Sequence, residues 1–334
     1  MLVDKPAGMT SHDVVQRVRR VLGTRAAGHT GTLDPFATGL LVVLLGRATR
    51  LARFVEGQPK QYLATARLGV QTTTDDLTGE VLASSPAAEP VSEVRVREEL
   101  ASFLGTRLQR PPQFSAKHVD GERSYRRARR GESVRLTEVS VTVHVIELVY
   151  YRPPELCFRA VVSPGTYLRA IARDLGIQLG VGAHLTALRR EAIGSIRVAD
   201  AVTLEQLEPA AVLPAQAVLL DLPSVELDEA ARKAVAHGRA VMDSRVVGQR
   251  GSNPVALISG GELVGVARTD AGWLQPTVVL EPALRPVVHR PRSRRYPTAA
   301  PSRWAPSMAC TSATRRCCRR LADGPALRGG PAYW

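Results

Sequence analysis

The stretch Gly28-His29-Thr30-Gly31-Thr32-Leu33-Asp34-Pro35-Phe36-Ala37-Thr38-Gly39 has the residue types most suited to chemistry. Its glycines reach backbone angles closed to other residues. Pro35 stiffens the chain straight after Asp34 and so limits where that carboxylate points. A carboxylate on a rigid, glycine-flanked loop can be a nucleophile, a general base or a metal ligand. A lone Asp-Pro more often caps a turn or helix, so the loop needs supporting residues elsewhere. It is not a P-loop, because no Lys-Ser/Thr follows its last glycine. Its glycine spacing is wrong for a dinucleotide fingerprint. The Asp75-Asp76 pair lacks the third ligand cluster that a metal-dependent hydrolase would need. Cys317-Cys318 has no His or acidic cluster nearby, so a zinc site is not expected.

Supporting residues follow in order along the chain. Asp4-Lys5-Pro6-Ala7-Gly8-Met9-Thr10-Ser11 precedes the loop. After it come Lys60-Gln61-Tyr62 with Arg67-Leu68-Gly69, then Asp75-Asp76-Leu77-Thr78-Gly79, then Gln109 to Ser115 and Gly121 to Arg129. Gly165-Thr166-Tyr167-Leu168-Arg169, Asp174-Leu175-Gly176, Gly182-Ala183-His184-Leu185 and Leu188-Arg189-Arg190 complete the series. Together these resemble the motifs of the bacterial tRNA pseudouridine synthase B (TruB) family over roughly residues 1–210. A weaker resemblance to an RNA-binding PUA-like module covers 225–282.

The resemblance implies an enzyme that isomerises the uridine at tRNA position 55, in the T loop, to pseudouridine. Asp34 matches the catalytic aspartate, acting at the sugar C1′ or by proton removal. Arg169 matches the arginine that pairs with it and keeps it ionised. Tyr62 matches the active-site tyrosine, which can stack on the target base. His29 matches the histidine credited with holding open the loop from which the base is flipped. Leu188 is expected near the base pocket, with Arg189 beside it facing RNA. Arg123, Arg126 and Arg127, in a run with Tyr125, are expected to contact phosphates. Lys5 is grouped with the RNA-binding residues but is expected chiefly to brace the loop. The reaction gains and loses no atoms, so no cofactor and no metal is expected. The implied partner is the T stem-loop of tRNA, with no membrane, no protein partner and a monomeric state. The alternatives are a non-catalytic RNA-binding protein on the same scaffold and a ribosomal-RNA or guide-RNA-dependent synthase.

Read apart from any family, Tyr62 and Leu188 suit a core, His29 a loop, and the arginines a solvated face. The elements that must position them can be read from periodicity. Val3 ends a first strand. Ser11 is a plausible N-cap for a helix with Val14, Val15, Val18, Val21 and Leu22 on one face. Residues 23–39 read as loop and Leu40–Leu45 as a buried strand. Residues 60–69 alternate as a half-buried strand. Val91–Leu104 has helical spacing, 139–150 and 155–163 read as strands, and 166–179 as a helix. Beyond Leu213 come a short helix over 227–236 and strands at 255–258, 263–267 and 277–280, with a hairpin at Gly260-Gly261. The fold class is α+β, with a mixed, mostly antiparallel sheet of the pseudouridine synthase type, flanking helices and a small β-rich PUA-like barrel. The expected domains are 1–212 (catalytic), 213–285 (PUA-like) and 286–334 (tail).

The chain has 334 residues, 45 Lys+Arg against 31 Asp+Glu, and a net charge of +14. Ten arginines and one acid, Asp323, place +9 of this in residues 286–334, leaving +5 for the body. That Arg/Pro-rich tail, with three of the four cysteines, is expected to be disordered. Cys157 alone in the body excludes a disulfide framework. No apolar run reaches the ~18 residues of a membrane span and no secretory signal is visible, so a cytoplasmic location is the expectation.

Overall fold

The computed structural model describes residues 1–85, 91–113, 118–119, 122–123, 137–243 and 253–280. The tail, Arg126 and Arg127 lie outside the described residues, and for Arg123 only its backbone pairing is described.

Strand β1 (Leu2–Lys5) leads into α1 (Ser11–Leu22). Thr10, rather than Ser11, is the N-cap. Its hydroxyl accepts from the Asp13 amide while the Asp13 carboxylate accepts from the Thr10 amide. This capping box satisfies two otherwise orphaned donors, and it frees Ser11 for a different task. Gly23 ends α1 in the left-handed region, at φ 62°. The expected loop over 23–39 contains β2 (Ala27–His29), paired antiparallel with β3 (Thr38–Leu45). Then follow α2 (Ala52–Glu56), β4 (Lys60–Leu68), the β5 (Val70–Thr72) and β6 (Val81–Ser84) hairpin, α3 (Glu93–Ala101) and β7 (Gly105–Gln109). A small pair, β8 (His118–Val119) and β9 (Glu122–Arg123), precedes the long β10 (Val139–Arg152) and β11 (Glu155–Val162). Helix α4 (Leu168–Gln178), β12 (Ala183–Ile193) and β13 (Ile196–Arg197) complete this half.

The main sheet has nine strands, in the order β1-β3-β12-β4-β11-β10-β7, with β2 on β3 and β13 on β12. Its ladders are antiparallel except between β3 and β12, where Thr38 and Gly39 face Arg189 and Arg190. The mixed, mostly antiparallel expectation therefore stands. At that parallel join Gly39 has φ 102°, and a Cβ on it would lie 2.3 Å from the Arg190 carbonyl oxygen. Only glycine lets the two backbones approach so closely. Strand β12 was not foreseen, although it lies next to β4 at the middle of the sheet. Register shifts at Leu185/Ala187 and Arg190/Ala192 break its two-residue alternation, and Arg189-Arg190-Glu191 hides its apolar face. By contrast β4 alternates as expected, with Lys60, Tyr62, Ala64, Ala66 and Leu68 turned inward. Tyr62, Ala64, Ala66 and Leu68 pack on Leu168, Ile171 and Leu175 of α4 in one core.

The C-terminal strands form a separate sheet. β14 (Ser224–Glu226), α5 (Glu229–Ala236), β15 (Val241–Met242), β16 (Pro254–Ser259), β17 (Glu262–Asp270) and β18 (Trp273–Val279) follow in sequence. The strand order is β14-β16-β17-β18-β15. Among the described residues β14 and β15 do not pair with each other, so the expected barrel is an open half-barrel. Its hairpin turns at Gly260 and Gly261, both with positive φ, as a tight primed turn requires. Ala256, Leu263, Val266 and Val278 share an apolar core with Leu2, Leu40, Val42 and Leu51.

Candidate active site

Asp34 sits in the loop between β2 and β3, and the sequence pins that loop from several sides. The Ser11 hydroxyl accepts from the Leu33 amide at 2.9 Å and donates to the Leu33 carbonyl at 3.3 Å. The Gly8 amide donates to Pro35 O at 2.8 Å. Lys5, fully buried, donates from Nζ to Pro6 O, Met9 O and Pro35 O. On the far side Arg190 of β12 donates from Nε to Leu40 O at 2.8 Å and from Nη2 to Gly31 O at 3.2 Å.

Arg169, in the first turn of α4, reaches this loop across the sheet's helical side. Its Nη2 donates to Asp34 Oδ1 at 3.1 Å, and its Nε lies 3.0 Å from Asp34 Oδ2. Nη1 donates to Thr74 O at 2.9 Å and lies 3.3 Å from Asp76 Oδ2. The arginine side chain is 4% exposed, Asp76 5% and Asp34 33%. One guanidinium thus joins two carboxylates, and only Asp34 keeps an open side. Asp76 is itself held: Oδ1 accepts from Thr74 Oγ1 at 2.7 Å and from the Thr78 amide at 2.9 Å. Beside it, Asp75 accepts from Arg173 Nη1 at 3.1 Å. Sequence reasoning placed Asp76 only within an acidic turn. The Thr-x-Asp-x-Thr spacing around it was the signal of a carboxylate built to be held.

Burial pushes the Asp34 carboxyl above its ordinary value, and the charge of Asp76 adds to this. The charge and hydrogen bond of Arg169, and more weakly Lys5, pull it down. The same arginine therefore fixes the carboxylate's direction and favours its ionised form.

A pocket of about 360 Å³ opens over this carboxylate. Its walls include Asp34, Tyr62, Leu168, Arg169, Leu188 and Arg190. Tyr62 is cross-strand neighbour to both Ala160 and Arg190, which sets its ring on the pocket face of β4. Asp34, Tyr62, Arg169 and Leu188 are thus brought together as expected. His29 is not among the lining residues; it lies on β2, and its buried Nδ1 has no hydrogen-bond partner among the described residues. Burial, then the charge of Arg190, lower its pKa and favour the neutral ring. Arg189 is partly exposed and holds Asp4 through Nη2 at 2.7 Å and Nη1 at 3.0 Å. The grouping of Lys5 with RNA contacts needs correcting, because its ammonium is wholly enclosed by loop carbonyls.

The family model for the TruB family pseudouridylate synthase N-terminal domain matches residues 19–168, and that for the tRNA pseudouridylate synthase B C-terminal domain matches 169–222. The chain is 46% identical over 290 residues to tRNA pseudouridine synthase B of Thermobifida fusca, covering 84% of this chain and 97% of that protein. The chain belongs to the TruB family. It is therefore a pseudouridine synthase, an isomerase. A second TruB protein, from Leifsonia xyli, is 46% identical over 274 residues, 80% of this chain and 91% of its own. Among solved structures, an H/ACA RNP bound to a substrate RNA containing 2′-deoxyuridine matches with a TM-score of 0.64 and 25% identity. That match covers 84% of this chain and 83% of the other.

Proposed function

We propose that this TruB enzyme converts the uridine at position 55 in the T loop of tRNA to pseudouridine, with the target base flipped into the pocket over Asp34. The carrying observation is the Asp34 carboxylate, with one open side, gripped by Arg169 at the base of a concave site. A base within a folded loop must leave its stack to enter such a site, at a cost of a few kcal/mol. Tyr62 and Leu188 supply apolar walls on which a pyrimidine can stack. The base then separates from its sugar, turns, and rejoins through C5. Asp34 acts at this centre, either by attack on C1′ or by removing a proton, and both routes need the ionised form. The neutral ring of His29, outside the pocket lining, suits a role at the RNA the base has left. Arg189, partly exposed while it holds Asp4, is a further proposed RNA contact. Arg123, Arg126 and Arg127 are proposed phosphate contacts.

The test is to incubate the protein with unmodified tRNA and map pseudouridine chemically. Conversion is expected at the T-loop uridine and is lost in Asp34→Asn. Conversion by Asp34→Asn at the wild-type rate would overturn the assignment of Asp34. Conversion only outside the T loop would overturn the assignment of the substrate site.

A further inference from the structure

One wall of the pocket carries charge that the reaction centre does not use. Lys60 and Arg190 both line it, and they are 7% and 1% exposed. Among the described residues neither lies within ion-pair distance of a carboxylate. Every other strongly engaged arginine around the site does: Arg169 holds Asp34 and Asp76, Arg173 holds Asp75 and Asp174, and Arg189 holds Asp4. Burying an uncompensated cation is costly, and proteins rarely do so without a partner. Glu56 also lines the pocket, but it is exposed and offsets the charge of Lys60 only weakly.

Among the described residues the donors of both cations are incompletely used. Lys60 Nζ donates to Glu56 O and Gln58 O at 2.5 and 2.7 Å, two of the three bonds an ammonium can make. Arg190 engages Leu40 O and Gly31 O through Nε and Nη2, leaving Nη1 beside the loop at Gly31. These carbonyl bonds fix where the cations stand without neutralising them. Lys5 is the informative contrast: it is buried too, but it bonds three carbonyls and does not line the pocket. The two pocket cations also repel each other. Burial and then the charge of Arg190 lower Lys60 to about 8. The position follows from register. Arg190 stands directly across from Tyr62, and Lys60 precedes Tyr62 by two on the same inward face of β4.

We propose that Lys60 and Arg190 form an anion subsite that binds a phosphodiester group flanking the flipped uridine, so that the pocket recognises a nucleotide rather than a base alone. This rests on the reading of the pocket as the site of the flipped base. The subsite holds the backbone on the Tyr62 side, while Asp34 and Arg169 meet the sugar from the loop and helix side.

The test uses T-arm RNA in which single linkages are made neutral by methylphosphonate, with the full-length protein. Conversion of the unmodified RNA by wild-type protein checks the underlying reading; its failure would count against that reading and not against the subsite. With conversion established, a neutral linkage on one side of the target uridine should raise KM by roughly tenfold or more, the scale of one charged hydrogen bond. In Lys60→Met the same neutral linkage should have little further effect, whereas Lys60→Arg should restore the penalty. Two outcomes overturn the subsite. One is a flanking linkage no more costly than distant ones in wild type, which needs no variant to fold. The other is an equal penalty in wild type and Lys60→Met.

Discussion

The Ser11 hydroxyl both takes a hydrogen bond from the Leu33 amide and gives one to the Leu33 carbonyl, at 2.9 and 3.3 Å. The first turn of α1 therefore carries the residue adjacent to Asp34. In Ser11→Ala a buried amide loses its partner, which costs about 1–3 kcal/mol. The expected result is a lower urea midpoint together with slower single-turnover conversion. Unchanged turnover with lowered stability would show that the loop keeps its position by its other anchors.

Arg169 supplies a fork that a lysine cannot reproduce. Arg169→Lys keeps the charge but loses the simultaneous reach to Asp34, Asp76 and Thr74 O. The enzyme should still fold and bind RNA, with turnover lower by roughly a hundredfold, the size of a small misplacement of the reacting groups. Filter binding and rapid-quench conversion separate the two effects.

Asp76 is a positioning residue, since it acts on Asp34 through Arg169. Its charge also helps to raise Asp34. Asp76→Asn should slow turnover with little change in KM and move the acid limb of the pH–rate profile to lower pH. A slower enzyme whose acid limb stays in place would contradict this electrostatic link.

Asp34 itself carries a pH signature. Its carboxyl is raised above 3.8, chiefly by burial and against the pull of Arg169. A carboxyl raised in the folded state gives stability that is full below the unfolded value. That stability is lost as pH rises through the folded value. Asp34→Asn escapes this loss. Its melting temperature should exceed that of wild type at neutral pH, with the gap closing by about pH 4. A variant less stable than wild type at neutral pH would refute this sign. Activity should fall on acidification with a midpoint above 3.8.

Gly39 sits where β3 and β12 run parallel at close approach. In Gly39→Ala the new Cβ would meet the Arg190 carbonyl oxygen, and φ 102° is unfavourable for any side chain. A loss of more than ~2 kcal/mol is expected from the backbone strain and forced separation. Chemical denaturation measures it directly.

Much of this arrangement was legible from residue types. The alternation of β4, the Asp34-Pro35 loop and the Gly260-Gly261 hairpin were all readable, because each is a local pattern with one physical meaning; the pairing of Arg169 with Asp34, 135 residues apart, came only from the family resemblance. What escaped was non-local. Strand β12 hid behind two bulges and a charged triplet. Ser11 read as a cap until Thr10 and Asp13 closed the box around the helix start. Asp76 could be recognised as a clamp only once folding brought α4 to the acidic turn. Lys5 was expected chiefly to brace the loop, but its grouping with RNA contacts missed that three carbonyls enclose it. The closing of a β-rich module depends on distant edges, so a run of short strands could not distinguish a barrel from its open half.

The apolar core shared by Leu40 and Val42 with Val266 and Val278 has a consequence for how the molecule comes apart. β3 begins immediately after the Asp34 loop, and its inward Leu40, Val42 and Leu44 are covered in part by strands more than two hundred residues later. The loop that aims Asp34 therefore cannot loosen independently of the C-terminal sheet. The two should melt in one cooperative transition, with matching amide-exchange protection in β3 and β17. Deleting the half-barrel would strip the nine-stranded sheet of part of its interior instead of removing an accessory.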